Sequence, residues 1–76
     1  MNIKQVAQAI VDHDGRVSCK VLPKKNQILL RCTVWPEETV VLLSPHYQLR
    51  LAAGEFGAQE LDGVLIEVDR ILRFGM

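Results

Sequence analysis

Residues 16–35 constrain this chain more than any other stretch. Val17, Cys19 and Val21 alternate with Arg16, Ser18 and Lys20, and Ile28, Leu30, Cys32 and Val34 alternate over 27–35. A period of two marks a strand with one buried face. Between the two runs stands Pro23-Lys24-Lys25-Asn26. Hairpin loops of that length are commonly built around a type I turn. Proline suits its first central position, and asparagine tolerates the left-handed backbone that closes it. Pairing Leu22 with Gln27 sets Val17 opposite Cys32 and Cys19 opposite Leu30, so both apolar sets share one face. The other face then holds Arg16, Ser18, Lys20 and Leu22 beside Leu29, Arg31, Thr33 and Trp35.

The remaining elements are read around this hairpin. Ile3, Val6, Ala7, Ile10 and Val11 fall on one side of an amphipathic helix, with Asn2 as its N-cap and Asp14-Gly15 as its stop. Residues 40–43 (Val-Val-Leu-Leu) read as a third strand, although Pro36-Glu37-Glu38 could open a helix there. Tyr47, Leu49, Leu51 and Ala53 alternate with His46, Gln48, Arg50 and Ala52, which predicts a fourth strand. Leu61, Val64, Leu65, Val68, Ile71 and Leu72 cluster on one arc of a helical wheel, which predicts a final helix with Gly75 suited to its C-terminal cap. The expected fold is a single α+β domain over residues 1–76, ordered α-β-β-β-β-α, with an antiparallel sheet and both helices on one face. Residues 64–74 also alternate passably after Asp62-Gly63, which keeps a small β-barrel with one N-terminal helix as the alternative.

Length and composition exclude several classes. A chain of 76 residues forms one domain and has little room for a deep enclosed active site. Its 49% apolar and 24% charged residues argue against intrinsic disorder. Its longest apolar run falls far short of the roughly 20 residues that span a bilayer, and no signal segment opens it. A soluble, cytoplasmic protein is expected. Nine basic residues balance nine acidic ones, unlike the uniformly positive surface of a general polyanion binder.

The residues that could carry chemistry do not assemble into a recognisable site. Cys19 and Cys32 are diagonal neighbours in the expected register, poorly placed for a disulfide, and read as buried free thiols. His13, Cys19, Cys32 and His46 lack metal-ligand spacing, so neither a metal nor a cofactor is expected. Asp12-His13-Asp14 sits at a helix end, where such residues serve as caps and turns. Ser18 and Ser44 lack a neighbouring base or a strained elbow, and the chain is read as non-enzymatic. Gly54-Glu55-Phe56-Gly57 has the spacing of a phosphate-clamping glycine loop, but Glu55 carries the wrong charge; Phe56 is expected on the core.

Charge placement is the informative feature. Residues 16–35 hold Arg16, Lys20, Lys24, Lys25 and Arg31 with no acid, while residues 55–69 hold Glu55, Glu60, Asp62, Glu67 and Asp69 with no base. The expected outer sheet face is therefore cationic, with apolar residues from the third strand joining Leu29 and Trp35. An apolar centre inside a charged rim is the anatomy of a protein interface. The expected function is protein binding or self-association, a homodimer included, through Lys20, Leu29, Arg31, Trp35 and Arg50. Trp35 is the expected anchor. The alternative is a nucleic-acid-binding module using the same basic face, weakened by having one aromatic residue where stacking platforms use two or three.

Overall fold

The computed structural model describes residues 1–33 and 38–74. Helix α1 spans Ile3–His13, strand β1 Val17–Leu22, strand β2 Gln27–Cys32 and strand β3 Val40–Val41. Helices α2 (Pro45–Ala52) and α3 (Ala58–Phe74) follow. The strands form an open antiparallel sheet in the order β1-β2-β3. It does not close into a barrel.

The hairpin takes the expected register, with Val17 paired to Cys32, Cys19 to Leu30 and Leu22 to Gln27. Pro23–Lys25 form one 3₁₀ turn, and Asn26 closes it in the left-handed region at φ 48°. At the N-terminus, Asn2 Oδ1 accepts from the Gln5 N–H while Gln5 Oε1 accepts from the Asn2 N–H, both at 2.9 Å. This reciprocal capping box satisfies two orphan donors of α1, an effect of about 1 kcal/mol for a good cap.

The core lies between one face of the sheet and helices α1 and α3. Ile3, Val6, Ala7 and Ile10 of α1 meet Val17, Ile28, Leu30 and Cys32 of the sheet. Val64 and Val68 of α3 complete it, with Leu42, Leu43 and Phe56. Each large side chain removed from water here contributes on the order of 1.5–3 kcal/mol. In a domain this small, these few residues carry most of the stability. Leu61, Leu65, Ile71 and Leu72 are half-buried against the same core, as the helical arc predicts.

The four-strand topology is corrected. Residues expected as a fourth strand form α2, which begins after Ser44 with proline at its first turn, where the missing N–H loses nothing. Over 45–53 the chain holds no β-branched residue, which favours helix over strand. Alternation misled because only Tyr47 and Leu51, one helical turn apart, face the core, while Leu49 is 71% exposed. A Schellman motif ends α2. The Gly54 N–H donates to the Leu51 carbonyl (3.2 Å) and the Glu55 N–H to the Arg50 carbonyl (2.8 Å). Gly54 supplies the required positive φ of 72°.

Candidate functional site

The outer face of the sheet is built by the residues that alternate with the core set. Ser18 and Lys20 on β1 are exposed, as are Arg31 on β2 and Thr39 just before β3. Lys20 is paired with Leu29, and Leu29 with Val41. The three side chains therefore form one row across the sheet, cationic at the β1 end and apolar toward β3. Leu29 is half-buried, and Val41 is 64% exposed. Ser18, Cys19, Lys20, Leu29, Arg31 and Thr39 line a shallow hollow of about 210 Å³ beside this row.

The expected binding residues thus divide into three groups. Lys20, Leu29 and Arg31 come together on the outer face. Arg50 does not join them: it belongs to α2, where its Nη1 donates to Glu55 Oε2 at 2.7 Å. Its predicted place on the sheet, with His46 and Gln48, fell with the fourth strand. Trp35 lies outside the described residues. Val41 and Thr39 are additions, and Val41 was legible only as one of several apolar residues in 40–43. The two-residue β3 turns Val41 outward, while the next two residues, Leu42 and Leu43, are both buried.

Gln27 explains how β3 ends so abruptly. Among the described residues it is the one buried polar side chain, 7% exposed. Its Nε2 donates to the Leu43 carbonyl at 2.8 Å, and its Oε1 accepts from the N–H groups of Leu43 (2.7 Å) and Ile28 (3.0 Å). One amide side chain thereby pairs both backbone groups of Leu43, as a neighbouring strand would. Leu42 keeps one ladder bond, its N–H donating to the Ile28 carbonyl at 3.0 Å, and faces inward by alternation. The Gln27 side chain then frees Leu43 to leave the ladder and turn inward as well.

The other polar groups serve local roles. Asp14 accepts from the Arg16 N–H (2.9 Å), Nε (3.0 Å) and Nη2 (2.7 Å). Those side-chain and backbone hydrogen bonds hold its carboxyl down at about 2. Cys19 and Cys32 are both free, and burial pushes the Cys19 thiol up to about 11. It is therefore a neutral thiol near neutral pH. His13 Nε2 lies 2.9 Å from Asp69 Oδ1, joining α1 to α3. Among the described residues, no group of three or more His, Cys, Asp or Glu could hold a metal ion, and no helix is long and apolar enough to cross a membrane.

Part of the acidic block is also engaged. Glu60 Oε1 accepts from the Gly57 N–H at the start of α3, and Glu67 lies 3.5 Å from Arg70. A second apolar surface sits at the far end of α3, where Ile66 (59% exposed) and Phe74 (76%) flank Arg70 and Arg73. Neither residue lies on the core arc of the helical wheel, which is the signal that marks them as exposed. Comparison with family models, curated proteins and solved structures found no match to this chain.

Proposed function

We propose that this chain is a non-enzymatic protein-interaction module whose outer sheet face binds a protein partner with an apolar centre and an acidic rim. The observation that carries the reading is the Lys20–Leu29–Val41 row. It sets a mostly exposed valine beside a half-buried leucine on a face flanked by basic side chains. Apolar surface presented this way gains free energy when covered. The basic flank favours partners whose rim is acidic and disfavours basic ones.

The test is a titration of the isotope-labelled protein with two probes, followed by amide NMR shifts. One is a peptide alternating leucine and glutamate; the other is a single-stranded oligonucleotide at low salt, where phosphate contacts are strongest. The peptide is expected to shift the amides of Ser18, Lys20, Leu29, Arg31 and Val41, and Val41→Asp is expected to abolish the effect. Shifts with the oligonucleotide alone would establish nucleic-acid binding instead. No shift on this face with either probe would sink the proposal.

A further inference from the structure

The sheet has two outer edges of unequal length: β3 has two residues and β1 has six. Which backbone groups of β1 point outward follows from the ladder. The Thr33 N–H donates to the Arg16 carbonyl at 2.9 Å, so these two residues form a hydrogen-bonded pair. Such pairs alternate along an antiparallel ladder. Ser18, Lys20 and Leu22 therefore bond toward β2, while Val17, Cys19 and Val21 turn their N–H and C=O groups to the open side. The Val17 N–H meets the Asp14 carbonyl at 3.3 Å. No described residue bonds to the N–H of Cys19 or Val21. β1 has no proline, and its pairing with β2 runs without a bulge. An edge of this kind is a template for another strand.

We infer that β1 pairs antiparallel with β1 of a second copy, about a two-fold axis at Cys19, giving one continuous six-stranded sheet. The register follows from charge. Outward groups meet outward groups when the axis passes through Ser18, Cys19 or Lys20. An axis at Ser18 puts Lys20 opposite Arg16, and an axis at Lys20 puts the two copies of Lys20 opposite each other. Both arrangements are repulsive. With the axis at Cys19, each Lys20 faces Ser18 of the other copy, and Val17 faces Val21 on the helix side. In that register the strand is its own complement, and symmetry repeats every favourable pair twice. The inference is independent of the outer-face reading. Where both hold, the pairing joins two Lys20–Leu29–Val41 rows into one surface.

Sedimentation across a concentration series tests it, and a reversible dimer is expected. Ser18→Lys sets like charges opposite Lys20 at two places per dimer and should weaken association about ten-fold. Adding Lys20→Glu to Ser18→Lys makes those pairs attractive and should restore it. Cys19→Pro removes an outward N–H while leaving the ladder to β2 intact, which edge strands tolerate; it should give a folded monomer. Hydrogen exchange on the unaltered chain serves if that variant unfolds: the Cys19 and Val21 amides should slow as protein concentration rises. A chain that stays monomeric throughout overturns the inference. So does a dimer that ignores the charge exchange and leaves those two amides unprotected. A dimer broken by Val41→Asp but not by Ser18→Lys also overturns the edge pairing, while leaving the outer face as a binding surface.

Discussion

The two faces of the sheet are made from alternate residues of the same strands, yet they are opposite in character. On one side Val17, Ile28, Leu30 and Cys32 are each 4% exposed or less, sealed by α1 and α3. On the other, Ser18, Lys20 and Arg31 face water, and Val41 is left 64% exposed. A one-residue slip of β1 against β2 would turn Lys20 inward and Val17, Cys19 and Val21 outward. The helix-covered face therefore fixes the register, and the outer face inherits its composition from that choice. Stability is concentrated on one side of the sheet, which leaves the composition of the other less constrained by packing.

The largest test of this division is a paired substitution followed by denaturant unfolding. Leu30→Ala should cost about 2–5 kcal/mol, because it opens a cavity in a fully buried position. Val41→Thr keeps the β-branched shape at an exposed position and should change stability by no more than about 0.5 kcal/mol. Comparable losses at both sites would mean that the outer face is core in its own right.

Gln27 is the residue that crosses the division, since its strand parity is outer while its side chain is buried. Gln27→Leu preserves bulk but strips the partners from both backbone groups of Leu43. With the Ile28 N–H, which also loses the Gln27 Oε1 acceptor, three backbone groups are left unsatisfied, and the change should cost at least about 3 kcal/mol. A loss close to zero would show that Leu43 finds water or another partner, and that β3 is held by its leucines alone.

Legibility from sequence followed the same physics. The hairpin could be read because period, turn residues and pairing register independently agree in Val17–Cys32 and Pro23–Asn26. The first and last helices could be read because their apolar arcs are long, although the alternation over 64–74 kept a strand open for the last one. Helix α2 was missed because eight residues give little periodicity, and Tyr47, Leu49 and Leu51 happen to fit a period of two. Ser44-Pro45 at its start, Gly54 past its end and the lack of β-branched residues were the better guides. Lys20, Leu29 and Arg31 were placed together because the register was right, while Arg50 was misplaced because α2 was. The backbone-capping role of Gln27 had no local signature, since its partner is sixteen residues away.

A smaller effect checks how tightly the helix side is closed. Gly63 lies within α3, where glycine to alanine ordinarily stabilises by about 1 kcal/mol. Here an added Cβ would overlap the Tyr47 hydroxyl and sit 3.3 Å from its Cζ. The Tyr47 ring packs edge-on against buried Phe56, with centroids 5.9 Å apart, so it has little room to yield. Gly63→Ala should therefore destabilise by about 1 kcal/mol net. The penalty should shrink in a Tyr47→Phe background, which removes the overlapping oxygen. Stabilisation by Gly63→Ala alone would show that α2 and α3 are less closely fitted than the sheet and α1.

The smallest effect comes from the Asp14–Arg16 contact at the rim, where solvent screens both charges. Folding lowers the Asp14 carboxyl from 3.8 to about 2 through hydrogen bonds from the Arg16 side chain and backbone. A depressed folded value means the unfolded chain binds the proton more readily. The contribution is then present above about pH 4 and is lost as pH falls toward 2. Unfolding midpoints measured from pH 5 down to pH 2 should fall less steeply for Asp14→Asn than for the unaltered chain. Identical slopes would show that the contact formed between α1 and β1 adds nothing measurable to stability. The register of the hairpin would then rest on the apolar face and the 23–26 turn alone.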